Sequence, residues 1–467
     1  MVPVKYQKVT DSVIASLAEI VGTNNVITGE GRENYARDET PNVKSVLPEV
    51  VVKPENTASV SRVLQLASEK QIPVTPRGAG TGLCGGAIAI YGGIVLSLEK
   101  MNRILEIDTT NFTATAEAGV TLEKFSQSVA ERGLYYPPYP GEKTATMGGN
   151  VATNAGGMRA VKYGVTRNFV LGLEAVLPTG EIIQTGGKYF KCSTAYDLTQ
   201  LITGSEGTLA VITTVTLKLA NPAGKSEILF IPFNNLKDAI GTVPEILRKG
   251  IFPIGLEFMQ KNIINLVEKY TGKEIPYHDY DAYLMIILEA DSDDEIYSQA
   301  EKIGEICLSR GAIDIFLGGN ESARRNLLEA REKFYSAIMQ SGMLQLADVV
   351  VPRSSIAEFV ERADAITSSQ GLELIALGHS GDGNVHLHLI GEKTEANIEL
   401  AEKVLKEIYN LGISLGGTIS GEHGLGMEKK GYLSLAMDGG KIDLMRRIKR
   451  AFDPANILNP GKVFDME

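Results

Sequence analysis

The stretch from Tyr136 to Gly164, YPPYPGEKTATMGGNVATNAGGMRAVKYG, sets the tightest limit on how this chain can fold. It holds few large apolar residues and cannot build a core of its own. An unstructured connection of that length is nevertheless uncommon inside a compact domain. Two glycine pairs, Gly148-Gly149 and Gly156-Gly157, flank Asn150, Thr153 and Asn154. Backbone bare of side chains can approach a ligand closely, and amides and hydroxyls can donate to it or accept from it. The stretch reads as backbone wrapped around a flat, polar molecule. The competing reading is a long surface loop.

Two further segments share this character. Pro76 to Gly86 reads PRGAGTGLCGG and contains Gly80-Thr-Gly82-Leu-Cys-Gly85, a G-x-G-x-x-G match. The dinucleotide version of that pattern needs a helix directly after it, with its N-terminus on the pyrophosphate. Here the following residues, Ile88 to Leu98, are β-branched and read as extended. Successive N–H groups of a glycine-rich turn can still form an anion nest without a helix. The alternative is a structural turn between two strands. Thr203-Gly-Ser-Glu-Gly-Thr208 is a third tight polar turn, set just before a strand.

A chain of 467 residues is too long for one ordinary core. Strand-like and helix-like segments alternate through residues 1–222. Among them are Glu49–Lys53, a helix capped at Thr57 with Val60, Val63, Leu64 and Ala67 on one face, and a second helix over Val120–Arg132. Asn221-Pro-Ala-Gly224 reads as a linker. Residues 223–415 mix amphipathic helices with apolar strands. Residues 416–467 are glycine-rich again and are expected to return to the first domain.

The net charge of −11 argues against nucleic acid and anionic membranes as partners, since both need clustered Lys and Arg. No secretory leader is evident in Met1–Gly22, and no apolar run approaches the roughly 20 residues of a membrane helix. Cys84, Cys192 and Cys307 form no CxxC pair, iron–sulfur spacing or disulfide framework. A reducing cytoplasm is the expected location.

Gly378-His-Ser-Gly-Asp-Gly-Asn-Val-His-Leu-His388 places His379, His386 and His388 within ten residues. His386 and His388 alternate on a strand and share a face. Glu422 and His423 lie in a second glycine turn, GEHG. Histidine with carboxylate is a metal-site composition. The alternative is a set of hydrogen-bonded polar residues beside turns.

In order along the chain, the three glycine segments resemble the FAD-binding domain of the vanillyl-alcohol oxidase superfamily. The tail Phe452–Lys462, FDPANILNPGK, resembles that superfamily's C-terminal signature. Within it the chain is similar to FAD-linked D-2-hydroxyacid dehydrogenases: D-lactate and D-2-hydroxyglutarate dehydrogenases and the D subunit of glycolate oxidase. The resemblance implies an α+β fold, with a two-subdomain FAD-binding domain and an antiparallel-sheet cap. It implies FAD contacts from Pro76, Arg77, Gly78, Ala79, Gly80, Thr81 and Gly82. Further contacts would come from Pro140, Gly141, Thr146, Gly149, Asn150, Thr153, Asn154, Gly156, Gly157 and Gly164, and then from Glu206, Gly207, Ile212 and Asn459. No histidine precedes His278, which excludes histidyl linkage through the first half of the chain; Cys84 is a formal alternative, and the FAD is expected to be non-covalent.

The same resemblance implies a divalent metal (Zn, Mn or Fe) on His379, His386 and Glu422, with His423 as the general base. In the alternative, His423 is itself a ligand. His388 stands where some relatives have an asparagine near the substrate. It is expected to contact substrate, add a ligand or orient one. Arg331 matches a substrate-carboxylate arginine; alone it would read as a solvated helix charge. Relatives specific for dicarboxylates carry a lysine in the segment that here reads Leu344-Gln-Leu-Ala-Asp348. Its absence favours D-lactate or glycolate over D-2-hydroxyglutarate. Electrons are expected to leave to a separate partner, an electron-transfer flavoprotein or a sister subunit. In some anaerobes such a dehydrogenase and flavoprotein form one complex. The competing readings are a metal-dependent hydrolase, a non-catalytic FAD relay subunit and an oxygen-reactive oxidase.

Overall fold

The computed structural model describes residues 6–318 and 321–466. These form two compact units. The first comprises residues up to Ala155, Val165–Pro222 and the chain from Glu422 onward. The second comprises Gly156–Gly164 and Ala223–Gly421.

The first unit contains two sheets. The smaller is built from β1 (Val26–Ile27), β2 (Val50–Val52), β3 (Val74–Arg77) and β4 (Ile94–Ser97), in the order β1-β2-β4-β3. The pairs β2–β4 and β3–β4 are parallel. β2 and β4 are buried at every position, as the apolar runs VVV and IVL require, and Ser97 at the end of β4 is buried with them. The helix Thr57–Lys70 is the crossover from β2 to β3, which run parallel on either side of β4. Its buried face is Val60, Val63, Leu64 and Ala67, as the spacing predicts. The cap is Asn56, not Thr57: Asn56 is extended and its side chain accepts from the Ser59 N–H at 2.9 Å. Thr57 is instead drawn to Glu174 Oε1, at 2.6 Å. The extended reading of Ile88–Leu98 holds only over Ile94–Ser97; the preceding residues turn through Gly92 and Gly93, both at positive φ.

The larger sheet is antiparallel. It orders β5 (Ile104–Asp108), β6 (Thr113–Glu117), β7 (Val170–Val176), β8 (Ile182–Gly186) and β9 (Val211–Lys218) as β5-β6-β9-β7-β8. The helix Leu122–Ala130, capped by Thr121, buries Leu122, Phe125 and Val129. Between β8 and the short helix Leu198–Ile202, Ala195 sits at φ +62°. A Cβ in that region costs about 1–2 kcal/mol. Ala195→Gly is therefore expected to stabilise by about 0.5–1 kcal/mol, after subtracting the added freedom of the unfolded chain. An unchanged or lower thermal midpoint would show that the strain is not there.

The helix Gly439–Phe452 ends in a buried ion pair. Lys449 Nζ donates to Asp453 Oδ2 at 2.5 Å and to the carbonyls of Thr208 and Leu458 at 2.7 and 2.8 Å. Burial pushes this ammonium's pKa down, and Asp453 opposes the shift. Asp453 also accepts from the N–H groups of Ile457 and Leu458. The tail beyond pairs with β3 through Val74 and Leu458.

The second unit is a seven-stranded antiparallel sheet. Its strands are β10 (Lys225–Phe233), β11 (Gly255–Gln260), β12 (Ala282–Ala290), β13 (Phe316–Leu317), β14 (Met343–Val350), β15 (Glu373–His379) and β16 (Asn384–Ile390). They follow the order β13-β10-β12-β11-β15-β16-β14. Period two sorts each strand into faces. One face carries Ile228, Phe230, Met259, Tyr283, Met285, Ile287, Ile375, Leu377 and Ile390. It packs against Ile263, Ile264 and Val267 of the helix Lys261–Thr271 and against Leu327, Ala330, Phe334 and Ile338 of the helix Glu321–Gln340.

Candidate active site

The first glycine segment leaves β3 at Arg77, whose Nη1 donates to the Arg37 carbonyl at 2.9 Å. No helix follows it, as expected. One nevertheless reaches it from the second glycine segment. That segment is not a bare loop, because Met147–Thr153 is helical, with Thr146 as cap accepting from Gly149 N–H at 3.2 Å. A Cβ on Gly78 would fall 2.2 Å from Thr146 Oγ1, so only glycine lets the first loop lie against the start of this helix. A helix N-terminus beside glycine backbone is suited to a diphosphate, since free N–H groups and the positive end of the helix dipole meet there.

This unit holds buried polar atoms without a partner among the described residues: Asn150 Nδ2, Ser205 Oγ and Asn459 Oδ1. Unpaired buried polar groups are expensive, so a polar ligand fits this unit better than a closed core does. Of the other expected contacts, Ala79, Gly82 and Gly141 are exposed, whereas Pro76, Gly80, Thr81, Pro140, Thr153 and Asn154 are half-buried and Gly207 and Ile212 are buried. Gly156, Gly157 and Gly164 belong to the second unit. There Met158 and Tyr163 join the sheet core, and Tyr163 donates to Glu289 Oε1 at 2.7 Å.

Glu206 and Asn459 close the polar part of the first unit. Asn459 Nδ2 donates to the carbonyls of Gly86 and Glu206, at 3.1 and 2.8 Å. The Glu206 carboxylate accepts the N–H groups of Leu425 and Gly426, both at 2.8 Å. Burial pushes this carboxyl up, while those N–H groups and the ammoniums of Lys429 and Lys462 pull it down. His423 Nε2 lies 3.8 Å from Glu422 Oε1.

In the second unit the strand register assembles the histidines. His386 sits between Leu377 of β15 and Asp348 of β14, and His388 between Ile375 and Leu346. Both project to the face that carries Ile390. His379 ends β15 opposite Glu257 of β11. All three histidines are buried. His379 Nδ1 is 2.5 Å from Glu257 Oε1, and its Nε2 is 3.5 Å from His386 Nε2. His388 is set apart, with Nδ1 3.2 Å from Met343 Sδ.

Arg331 is not a solvated helix charge: its Nε and Nη2 both donate to Glu257 Oε2, at 3.1 and 2.8 Å. Burial would push the Glu257 carboxyl up, but the adjacent His379 and Arg331 outweigh it and hold the group at about 2. The turn after His379 is fastened by Ser380 Oγ on the Leu256 carbonyl at 2.9 Å and by Arg353 Nε on the Gly381 carbonyl at 2.5 Å. Asp348 accepts Asn384 Nδ2, Ser420 Oγ and the Gly421 N–H, at 2.8, 2.9 and 3.0 Å.

The sequence reading passed over Glu257, Asp348 and Arg353. Glu257 and Asp348 carried a signal: each is a lone acid within an apolar strand, GLEFM and LADVV. Such a buried charge needs partners. Arg353 carried none, because a surface arginine after a proline is ordinary.

Residues 48–186 match a family model described as an FAD binding domain, and residues 224–463 match the C-terminal domain of FAD linked oxidases. The chain belongs to the FAD-linked oxidase family. It lies within the vanillyl-alcohol oxidase group and is an FAD-dependent oxidoreductase. This FAD-linked oxidase is 44% identical to a D-lactate dehydrogenase of Archaeoglobus fulgidus, over 92% of this chain and 95% of that one. It is 39% identical to glycolate oxidase subunit GlcD of Bacillus subtilis, over 98% and 97%. The fold matches p-cresol methylhydroxylase with a TM-score of 0.82 at 17% identity, over 99% of both chains. No helix among the described residues is long and apolar enough to cross a membrane.

Proposed function

We propose that this FAD-linked oxidase oxidises a small D-2-hydroxy acid, D-lactate before others, to the 2-oxo acid. The observation that carries the reading is the pairing of His379 and His386. Two nitrogens bound to one tetrahedral ion at about 2.1 Å stand roughly 3.4 Å apart. The two Nε2 atoms are 3.5 Å apart. Glu257 accepts a hydrogen bond from Nδ1–H of His379 in the tautomer that leaves Nε2 with a free lone pair, the usual support of a metal-bound histidine. Asp348 anchors Gly421, and Glu422 is the next residue, the carboxylate we assign to the same ion.

When bound, a divalent ion (Zn, Mn or Fe) supplies Lewis-acid polarisation of the substrate hydroxyl and carboxylate. When bound, FAD supplies the hydride acceptor. His423 takes the hydroxyl proton as hydride leaves Cα, a task within the range of a neutral imidazole. Arg331 offers the substrate carboxylate the guanidinium edge not engaged by Glu257, and Glu257 holds that guanidinium in place. His388 lines the same sheet face and limits the space for the substrate's side chain. The glycine segments hold the FAD without a covalent bond. Electrons then pass to a separate carrier such as an electron-transfer flavoprotein. A purified flavoprotein that never accelerates reoxidation would reject this last step. Glycolate is the second substrate to test, given the relative named as a glycolate oxidase subunit.

Anaerobic addition of D-lactate to the metal-loaded protein should bleach its flavin bands; L-lactate should not, and D-2-hydroxyglutarate should act weakly. Failure of every hydroxy acid would reject the reading. Glu257→Gln should lower metal affinity about 10–100-fold, the usual effect of losing a carboxylate behind a ligating histidine. Metal content after dialysis against a graded chelator checks this, and wild-type retention would remove Glu257 from the role.

A further inference from the structure

The resemblance counts Glu206 among the FAD contacts, yet its carboxylate is directed elsewhere. Both oxygens are occupied by consecutive backbone N–H groups, Oε1 by Leu425 and Oε2 by Gly426, each at 2.8 Å. These follow His423 by two and three residues. Gly424, between them and His423, has φ +81°, and a Cβ there would lie 3.0 Å from the same carboxylate. Glu206 itself is held at φ +53°, a conformation that is unfavourable for a side chain of its size. Asn459 Nδ2 fastens its backbone carbonyl at 2.8 Å. The first glycine segment adds two more holds. Cys84 Sγ donates to the Gly424 carbonyl at 3.3 Å, and the Cys84 carbonyl accepts the Met427 N–H at 2.8 Å. Every peptide from Gly424 to Met427 is thus tied to a residue of a glycine segment.

We infer that Glu206 is a positioning residue for the proton-accepting loop: its carboxylate fixes the backbone that carries His423, and FAD retention does not depend on it. This rests on the proposed role of His423. A carboxylate serves here because it accepts with both oxygens and has no donor to repel an N–H; a carboxamide would turn one NH₂ toward a backbone donor. Burial makes that mismatch expensive. The consequence for chemistry is geometric, since a shift of about 1 Å in a reacting group can lower turnover about 10²-fold.

The test uses Glu206→Gln in the FAD- and metal-loaded protein, with D-lactate as reductant. The expected result is a kcat about 10²-fold lower with KM nearly unchanged and FAD content at wild-type level. Hydrogen exchange should rise at Leu425 and Gly426 and stay unchanged in the strands β10–β16. Glu206→Asp, which keeps the charge, should recover part of the rate. Should Glu206→Gln fail to fold, Gly424→Ala perturbs the same contact from the other side and should show the same kcat loss with FAD retained. FAD loss with unchanged exchange at Leu425 and Gly426 would overturn the inference in favour of a cofactor contact. Exchange rising throughout the first unit would overturn it in favour of general structural support. Normal turnover by His423→Asn would instead sink the reading of the base, while the local exchange result would still decide what Glu206 holds.

Discussion

His423→Asn should lower kcat by about 10²–10⁴-fold, the usual contribution of a positioned general base, while FAD and metal remain bound. Asparagine keeps the size and a hydrogen-bonding edge but cannot accept a proton at neutral pH. The loop should survive the change, because its backbone is held by Glu206 and Cys84. Stopped-flow reduction of the flavin by D-lactate and its Cα-deuterated form reads the effect on the chemical step directly. Near-normal reduction would remove His423 from catalysis. Loss of metal together with activity would move it into the ligand set, the alternative that its sequence context leaves open.

Lys449→Met should destabilise the first unit by about 3–5 kcal/mol, the range for breaking a buried ion pair from one side. The substitution leaves Asp453 charged and nine-tenths or more buried, and it orphans the carbonyls of Thr208 and Leu458. Adding Asp453→Leu should recover only part of the loss. Asp453 also accepts from Ile457 and Leu458, and those N–H groups would stay unpaired. Thermal and urea melts of the single and double variants give the coupling. A Lys449→Met loss below about 1 kcal/mol would mean that the pair behaves like an exposed one.

Legibility in the sequence followed the range of the interaction. The faces of helices and the exposed-or-buried sense of strands could be read because they depend on residues three or four apart, or two apart. Val60, Val63, Leu64 and Ala67 are one example, and His386 with His388 another. The cap at Asn56 was missed by one residue because Asn and Thr can both cap, and the choice went to Thr57's distant bond with Glu174. The helix Met147–Thr153 was missed because MGGNVAT has poor helix propensity. Its stability comes from the Thr146 cap and from tight packing, with Gly148 lying against Ala118.

By itself the sequence determined the family. The ordered glycine segments, GHSGDGNVH, GEHG and the tail motif are local strings whose chemistry is set by residue type: bare backbone for a flat ligand, imidazole and carboxylate for a cation and a proton. Only the tertiary structure decided who supports whom. Glu257 lies 122 residues from His379 and 74 from Arg331, and Glu206 lies 219 from Leu425. No periodicity spans such distances. A buried acid in a strand announces that it needs a partner, but strand register brings His379 to Glu257, and the packing of the helix Glu321–Gln340 on the sheet brings Arg331.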